Sequence, residues 1–273
     1  MMKLRIDKLL IIKKLVTSRA QAQYLILNKK VLVNKKFVFK ASEIVNENAN
    51  IQILKNKFFS RGAIKFQFAL KHFNLDLKNL VALDIGASTG GFSKVLLDTG
   101  VKKIYAVDVG YNQIAYNLRI NKKIVVFEKY NFKYALKSDF KEGIDFICCD
   151  VSFISLEKLF KPISNILKFK KYAILLIKPQ FEIERNKDFR GKVNHYQEVF
   201  LVLKKIINFA LKNYFNVLDL IYSPILGHKK GNIEFFILVQ KEFSNNKIIN
   251  LVDEFKINKI IQEGLIFLKT KLI

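Results

Sequence analysis

The chain lacks a long run of apolar residues, although 51% of its residues are hydrophobic. A membrane-spanning helix needs roughly 20 consecutive apolar residues, and no uninterrupted apolar stretch approaches that length. The first eight residues also lack a long apolar region followed by a small-residue cleavage site, which a secretory signal would show. We therefore expect no export signal, no stable membrane association and a cytoplasmic location.

Cysteine and histidine are scarce as well. The two cysteines, Cys148 and Cys149, are adjacent, and His72, His195 and His228 are widely scattered. Neighbouring residues on a strand point to opposite faces, so the two thiols do not readily bridge and fit buried, reduced residues. No spacing typical of metal ligands exists among these side chains. We predict no structural or catalytic metal.

Acidic residues are few beside the basic ones. The chain has 48 lysines and arginines against 23 aspartates and glutamates, which gives a formal net charge of +25. This balance favours a polyanionic partner, with nucleic acid first and an acidic membrane second. Part of the excess has a plainer explanation, because an AT-rich genome encodes chains rich in Lys, Ile, Asn and Phe. The charge is suggestive and does not decide the function.

The length of 273 residues suits one full α/β domain and one small accessory domain. We predict a first domain over 1–54, a linker over 55–62 and a main domain over 63–240. A helical pattern over 241–273 either packs on the core or mediates an oligomer. The last two strands of the main domain follow one another closely and are expected to form an antiparallel edge pair on a parallel sheet. Its strands are predicted over 80–85, 104–108, 124–128, 144–149, 172–177, 217–222 and 233–239, with helices over 63–73, 155–167 and 196–214.

The most informative segment joins the first of these strands to a glycine-rich turn. The apolar strand Val81 to Ile85 is followed by Gly86, Gly90 and Gly91, and turns of this kind hold nucleotide-like ligands in doubly wound sheets. A dinucleotide fingerprint needs glycine at its third position, where this chain has Ser88. The turn therefore favours a nucleoside cofactor without a pyrophosphate. The alternative is a plain βαβ crossover that binds no ligand.

An acid at the tip of the second strand supports this choice. Asp108 follows the strand over 104–107, where a carboxylate suits two hydrogen bonds from a ribose diol. A nicotinamide dinucleotide would use the same acid, so Asp108 alone does not discriminate between cofactors. The turn sequence does.

The N-terminal residues resemble the S4-like RNA-binding domain. Two predicted helices, over 5–15 and 18–27, precede short strands, and the family pattern R-x-D-x-x-L, S-R-x-x-A and V-x-V-N is present from Arg5 to Asn34. Asn28 and Ser42 depart from the usual glycine and proline. The alternative is a solvated helical hairpin that binds nothing. The resemblance, with the basic residues around it, gives these candidate RNA-binding residues: Arg5, Lys8, Ser18, Arg19, Lys29, Lys30, Asn34 and Arg61.

Four charged residues stand at strand ends or at the mouth of the predicted fold. They are Lys65, Asp150, Lys178 and Glu234. Lys178 directly follows Ile-Leu-Leu-Ile, and removing an unpaired ammonium from water costs several kcal/mol, so it needs a charge partner or a task. Two carboxylates and two lysines answer that need. The alternative is an ordinary internal salt-bridge network.

These stretches, in this order over residues 3–240, closely resemble the hemolysin A (TlyA) family of rRNA 2′-O-methyltransferases. The matching segments are 60–62, 83–92, 105–111, 150–155, 178–182 and 231–235. The resemblance implies a Rossmann-like methyltransferase sheet of the FtsJ-like type that uses S-adenosylmethionine, preceded by a small α+β S4-like domain. It places the family's Lys-Asp-Lys-Glu tetrad on Lys65, Asp150, Lys178 and Glu234. One departure lies beside it, because Ala63 replaces the second glycine of Arg-Gly-Gly.

The resemblance also implies the substrate and the roles of the residues. It implies rRNA in ribosomal subunits, with cytidine as the nucleoside. Lys178 is expected to act either as a general base or as a cation that stabilises the developing oxyanion, and the carboxylates of Asp150 and Glu234 to orient the lysines and the hydroxyl. Candidate cofactor-binding residues are Asp84, Gly86, Ala87, Ser88, Thr89, Gly90, Gly91, Phe92, Asp108, Val109 and Asn131.

Three other functions compete with this interpretation. A pseudouridine synthase can carry an S4-like module but needs no cofactor turn, so the segment 81–92 speaks against it. A membrane-active haemolysin would need an exposed amphipathic or spanning segment and an export signal. A non-catalytic ribosome-assembly factor would not need both lysines and both acids. The oligomeric state and the nucleotide that is modified are not predicted.

Overall fold

The computed structural model describes residues 3–16, 18–27, 30–54, 60–183, 191–193, 195–227 and 231–271. The chain divides into two compact units, Met1–Phe58 and Phe59–Ile273. In the described part of the chain, no helix combines the length and the apolar character needed to cross a bilayer.

The first unit is a small α+β domain with two antiparallel sheets. β1 pairs with β4, and β2 lies between β3 and β5. The sequence patterns miss β1 and β4, which pair with each other in a sheet separate from that of β2, β3 and β5. The elements are β1 (Lys3–Arg5), α1 (Ile6–Ile12), α2 (Arg19–Leu27), β2 (Val31–Val33), β3 (Lys36–Phe37), β4 (Ile44–Asn46) and β5 (Ile51–Ile53).

The second unit contains a seven-stranded sheet with helices on both faces. Its elements are α3 (Arg61–Phe73), β6 (Val81–Ile85), α4 (Gly91–Asp98), β7 (Lys103–Val107), α5 (Tyr116–Arg119), β8 (Ile124–Phe127), β9 (Ile144–Cys149), α6 (Glu157–Ile166), β10 (Leu167–Ile177), α7 (Tyr196–Lys212), β11 (Phe215–Tyr222), β12 (Phe235–Lys241) and α8 (Glu254–Lys271).

The strand order is β11-β12-β10-β9-β6-β7-β8. β12 pairs antiparallel with both β10 and β11, whereas the pairs among β10, β9, β6, β7 and β8 are parallel. The predicted α/β class, with an antiparallel pair at one side of a parallel sheet, is confirmed. From β6 the chain runs outward to β8 and then returns to β9 on the other side of β6. This reversal opens a crevice at the carboxyl ends of the strands, where such sheets bind ligands.

The sheet separates two hydrophobic layers. One face packs against α6, α7 and α8, and the other packs against α3 and α4. Cys149 contributes to the first layer and Cys148 to the second, and both are buried free thiols, as the strand alternation predicts. α8 packs against α7 and β11 and buries Ile257, Ile260 and Ile261. The C-terminal helical pattern therefore belongs to the core of this unit.

The predicted linker over 55–62 contains the start of a helix. Ser60 caps α3, because its side chain accepts a hydrogen bond from the amide of Ala63 at 3.1 Å. Residues 60–62 therefore belong to the second unit, and residues 55–59 lie outside the described residues. Ala63, which stands where the family has glycine, is buried.

Candidate active site

A cleft of about 1010 Å³ opens at the carboxyl ends of β6, β7 and β9. Five of the eleven predicted cofactor residues line it: Gly86, Ser88, Asp108, Val109 and Asn131. Asp150 of the predicted tetrad lines it as well. The cleft therefore joins the tips of the first two predicted strands to one of the charged residues expected to carry chemistry.

The turn after β6 is held close to two neighbouring strands. The amides of Gly86 and Ala87 donate to the carbonyl of Val107 at 2.9 and 3.1 Å. Gly86 has φ +79°, and a Cβ there would lie 2.6 Å from the carbonyl oxygen of Asp150. Only glycine fits both the conformation and the approach. This glycine therefore lets β9 bring Asp150 up against the turn.

The rest of the turn packs against protein. A Cβ on Gly90 would lie 2.2 Å from a methyl carbon of Leu118, and one on Gly91 would lie 2.3 Å from Ser60 Oγ. The ring of Phe92 is buried and stacks on Phe66 at 4.4 Å. Of the other predicted cofactor residues, Ala87 is buried, and Thr89 is exposed but lies outside the cleft lining. These residues shape the turn and seat α4 and do not face the cleft.

Asp84 lies beneath the turn and is fully buried. Its Oδ2 accepts a hydrogen bond from Ser93 Oγ at 2.6 Å, while Oδ1 has no hydrogen-bond partner among the described residues. Burial, the largest effect, and the charge of Asp150 together raise the pKa of Asp84 to about 7, against the lowering effect of the hydrogen bond from Ser93. The buried carboxyl group is therefore easier to protonate than an exposed aspartate.

Asp108 links the turn to the end of β7. Its Oδ2 accepts from the amide of Ser88 at 2.8 Å, and its Oδ1 accepts from the amide of Gly110 at 2.7 Å. Each carboxylate oxygen can accept a second hydrogen bond, and the residue is only half-buried. Asp108 is thus fixed by two amides and keeps acceptor capacity toward the cleft.

The region after β8 forms another wall of the cleft, with Tyr130, Asn131 and Phe132 in the lining. Asn131 caps a short turn by accepting from the amide of Lys133 at 3.1 Å. Glu128 is engaged elsewhere, because it pairs with Arg119, which lowers the pKa of Glu128. The side chains after β8 that face the cleft therefore begin at residue 130.

The residues around the cleft fit S-adenosylmethionine. The half-buried carboxylate of Asp108 suits the ribose diol, and the exposed apolar side chain of Val109 stands beside it. Asn131 supplies an amide for a heterocycle edge. A volume of about 1010 Å³ leaves room for a second ligand beside a nucleoside.

Two of the four charged residues form an ion pair at the ends of β9 and β10. Lys178 Nζ lies 2.6 Å from Asp150 Oδ1, with the side chains 12% and 20% exposed. Lys178 also donates to Ser152 Oγ at 3.0 Å. Ser152 was not predicted as a site residue, although it lies in the Asp-Val-Ser-Phe stretch that carries the family resemblance.

The other two residues form a second, more buried pair. Lys65 Nζ donates to Glu234 Oε2 at 2.5 Å, with side chains 8% and 3% exposed. Glu234 directly precedes β12, and Ile177 pairs with Phe235 in the antiparallel register. Continuing that register by one residue places Lys178 opposite Glu234. The structure therefore brings the two ion pairs to neighbouring positions of the sheet.

The loop between β11 and β12 holds Glu234 in place. Arg61 Nη2 donates to the carbonyl of Leu226 at 2.5 Å. A Cβ on Gly227 would lie 2.8 Å from Glu234 Oε1. Arg61 and Lys65 lie one turn apart on α3, so both side chains are on the same face of the helix. That face contacts the segment before β12 at Leu226 and at Glu234. Arg61, a predicted RNA-binding residue, therefore donates a hydrogen bond within the protein, to the backbone carbonyl of Leu226.

An exposed aromatic residue stands at the mouth of the cleft. Phe153 is 83% exposed, lines the cleft and has φ +66°, which is uncommon for a bulky residue. Its ring lies 5.1 Å from that of Phe181. The sequence offers only one clue to this position, the Phe within the stretch after Asp150.

In the first unit, two predicted RNA-binding arginines converge on one buried acid. Arg5 donates to Asp7 through Nε at 3.1 Å and Nη2 at 2.9 Å, and Arg19 Nε donates to Asp7 Oδ2 at 3.0 Å. These contacts, Arg5 first, lower the pKa of Asp7 to about 2. The arginine side chains remain 37% and 51% exposed. The buried carboxylate therefore fixes two guanidinium groups at the surface.

The other predicted RNA-binding residues of this unit are spread along it. Lys8 is exposed, whereas Ser18 and Lys30 are half-buried. Asn34 has φ +49° in the β2–β3 turn and accepts from the amide of Asn50 at 3.0 Å. Lys29 lies outside the described residues.

The chain matches two family models and resembles several known proteins over most of its length. A family model described as FtsJ-like methyltransferase matches residues 58–241, and one described as S4 domain matches residues 4–51. The chain is 38% identical over 224 residues to Hemolysin A of Brachyspira hyodysenteriae, covering 80% of this chain and 92% of that protein. It is 34% identical over 246 residues to the 23S rRNA (cytidine-2'-O)-methyltransferase TlyA of Campylobacter jejuni, covering 82% and 94%. A solved structure from Streptococcus thermophilus, described provisionally as a hemolysin, superposes with TM-score 0.75 at 34% identity, covering 99% and 98%.

Proposed function

Because this chain belongs to the FtsJ-like methyltransferase family, whose cofactor is S-adenosylmethionine, we propose that it methylates a ribose 2′-hydroxyl of ribosomal RNA, with cytidine as the target nucleoside. The TlyA protein of Campylobacter jejuni is named for this reaction on 23S rRNA. The S4 domain over residues 4–51 is an RNA-binding module that supports an RNA substrate. The observation that carries the proposal is the placement of Asp150–Lys178 and Lys65–Glu234 at adjacent strand ends, beside a cleft that suits the cofactor.

The walls of the cleft account for cofactor binding. Asp108 would hold the ribose hydroxyls, and Val109 and Asn131 would border the base. When bound, S-adenosylmethionine supplies an electrophilic methyl group on a sulfonium. Methyl transfer to a hydroxyl then depends mainly on positioning the acceptor oxygen in line with that methyl group.

The charged residues account for orientation of the acceptor hydroxyl. Lys178 Nζ has three donors, of which one goes to Ser152 Oγ, while the carboxylate of Asp150 lies beside the ammonium at ion-pair distance. A donor that is not used by Ser152 would hold the ribose hydroxyl oxygen. As an ammonium, Lys178 stabilises the oxyanion that develops when the hydroxyl proton passes to water. As an amine, it takes that proton at Nζ.

Lys65 and Glu234 support that arrangement from behind. Their pair is almost completely buried, so each charge neutralises the other in a region of low dielectric. Glu234 stands opposite Lys178 in the continued β10–β12 register. The second pair therefore lies beside Lys178 and would fix the strand end that carries it.

The mouth of the cleft suits a nucleotide taken out of its stack. Phe153 presents an exposed ring, and an unpaired base gains about 1–3 kcal/mol from stacking on an aromatic side chain. Its position beside Asp150 places a stacked nucleoside next to the charged residues.

The test is incubation with 30S and 50S ribosomal subunits and labelled S-adenosylmethionine, followed by mapping of the methylated nucleotides. We expect label on a cytidine 2′-oxygen with the wild-type protein and none with Lys178→Ala. Label on a base would overturn the reaction type. RNA binding without transfer by the wild-type protein would favour a non-catalytic assembly factor.

The RNA partner is tested separately by titrating salt against affinity for ribosomal RNA. Neutralisation of phosphates makes the logarithm of affinity fall linearly with that of the salt concentration. A steep slope that becomes shallower in Lys8→Ala supports phosphate contacts by the first unit. A flat profile would show that the positive charge is only solvated surface.

A further inference from the structure

Two loops at the carboxyl end of the sheet contact each other at two places. The Asp150–Lys178 ion pair joins their first residues, and a second set of contacts joins their last residues. The paired loops are residues 150–156, which follow β9, and residues 178–182, which follow β10. Glu182 joins their last residues, because Ser155 Oγ donates to its Oε2 at 2.5 Å and the amide of Leu156 donates to its Oε1 at 2.9 Å.

Glu182 is built into this position. It is 5% exposed, yet it belongs to the lining of the cleft. Both carboxylate oxygens have donors, and the donors precede the first turn of α6, where a helix favours a negative charge. Burial raises the pKa of Glu182 against these hydrogen bonds. Removing a carboxylate from water costs free energy, so a buried carboxylate at the edge of the cleft is expected to have a function.

The segment between the two joints is under strain. Phe153 has φ +66°, a conformation that is unfavourable for such a residue and persists only where its surroundings fix it. The Asp150–Lys178 pair lies before Phe153, and the bonds of Glu182 to Ser155 and Leu156 lie after it. Loss of either joint lets the backbone between them relax.

A third element strengthens the far joint. Lys205 of α7 donates to the main-chain carbonyl of Glu182 at 3.3 Å and forms an ion pair with Glu157 at 2.9 Å. Glu157 begins α6. α6 and α7 therefore hold the backbone of Glu182 while its side chain holds Ser155 and Leu156.

We propose that Glu182 is a positioning residue for methyl transfer, which holds the paired loops so that Asp150, Lys178 and Phe153 keep their places around the acceptor nucleotide. This inference rests on the proposed function. Glu182 touches neither the cofactor residues after β6 and β7 nor Lys178 itself in the contacts of the described residues. Its loss should therefore lower the rate of transfer and spare the affinity for S-adenosylmethionine.

The test compares Glu182→Gln with the wild-type chain. A glutamine keeps the shape but loses the negative charge: its carbonyl oxygen can accept from the amide of Leu156, whereas its amide group can only donate to Ser155 Oγ, which must then turn its own proton away. We expect kcat on ribosomal subunits to fall at least tenfold, while the Kd for S-adenosylmethionine changes less than twofold. Amide hydrogen exchange of Leu156 should be faster in the variant.

Two further variants separate positioning from general stability. Glu242→Gln removes another buried carboxylate with both side-chain and backbone donors, but at the opposite end of β12. It should lower the unfolding midpoint and leave kcat within twofold. Ser155→Ala removes one of the two bonds of Glu182, and the double variant Ser155→Ala/Glu182→Gln should be no slower than Glu182→Gln alone.

The outcomes separate this inference from the proposed function. A wild-type chain that transfers no methyl group to ribosomal RNA overturns both. An active wild-type chain with unchanged kcat in Glu182→Gln overturns the role of Glu182 alone. So does an equal loss of kcat in Glu242→Gln, since the effect would then follow stability.

Discussion

Lys65 and Glu234 form the most buried ion pair described in the second unit, although 169 residues separate them in the chain. The contact joins α3, the first helix of that unit, to the start of β12, its last strand. It closes the sheet domain at the point where the chemistry is proposed. The contribution of this ion pair to the free energy of unfolding can be measured separately from enzymatic activity.

Breaking this pair should destabilise the chain strongly. Lys65→Met or Glu234→Leu alone leaves an uncompensated buried charge, and we expect each to cost about 3–5 kcal/mol in the free energy of unfolding. The double variant should lose less than the sum, because no charge remains buried. Urea unfolding measures all three. Lys94→Met in the exposed pair Lys94–Asp98 is the control and should cost at most about 1 kcal/mol; additive losses in the buried pair would contradict the expectation.

Lys178→Ala should abolish methyl transfer without weakening cofactor binding. Lys178 contacts Asp150 and Ser152. It contacts none of the described residues proposed to hold the ribose of S-adenosylmethionine. A group that holds or receives the proton contributes about 10²–10⁴-fold to a rate, so kcat should fall by at least about 100-fold. Transfer assays and calorimetric titration of S-adenosylmethionine measure the two quantities. The exposed Lys161→Ala on α6 is the matched control, and near-native activity of Lys178→Ala would remove this residue from the mechanism.

Asp108→Asn should weaken cofactor binding. The substitution replaces one acceptor oxygen by an amide group, which then faces the amide of Ser88 or Gly110. Hydrogen bonds to a charged group contribute about 1.5–3 kcal/mol each, so the Kd for S-adenosylmethionine should rise roughly 10–100-fold. Calorimetric titration checks this value. Asp98→Asn on the exposed face of α4 should leave the Kd unchanged, and an unchanged Kd in Asp108→Asn would exclude the diol contact.

The first unit should lose stability in acid through Asp7. Arg5 and Arg19 lower the pKa of this carboxyl to about 2 from an ordinary value near 3.8. The folded state therefore binds the proton more weakly, so the stabilisation is fully present above pH 4 and is lost as the pH falls toward 2. It amounts to at most about 2 kcal/mol, because the arginines are partly exposed to screening solvent.

Asp7→Asn should remove that pH dependence. Amide hydrogen exchange within α1, followed in the full chain between pH 2 and 5, measures the local stability. The variant should be less protected at pH 5 and should show a flatter profile below pH 4. Glu43→Gln, at an exposed position of the same unit, is the control. If the pH profile of exchange is the same in Asp7→Asn as in the wild-type chain, the ion pairs of Asp7 with the two arginines do not stabilise this unit.

The local patterns of the chain were reliable where burial repeats within one element. The strand over 144–149 appears with the predicted bounds and the strand predicted over 80–85 begins one residue later, because continuous apolar runs between turn residues indicate buried parallel strands. The helix predicted over 196–214 ends at Lys212, two residues early. The strands β1 and β4 were missed, since their pairing joins two segments that are distant in the sequence.

The sequence alone determined the kind of protein: the glycine turn, the acid at the tip of the second strand and the four charged residues in their order indicate a nucleoside cofactor and a charged site. Only the tertiary structure decided which charges meet. In the folded chain Lys65 pairs with Glu234 and Lys178 pairs with Asp150. Phe92 is buried in the core, and Glu182 joins two loops. The physical reason is that composition and periodicity report how far a residue is buried, whereas the partner of a buried charge depends on strand order and register between distant segments.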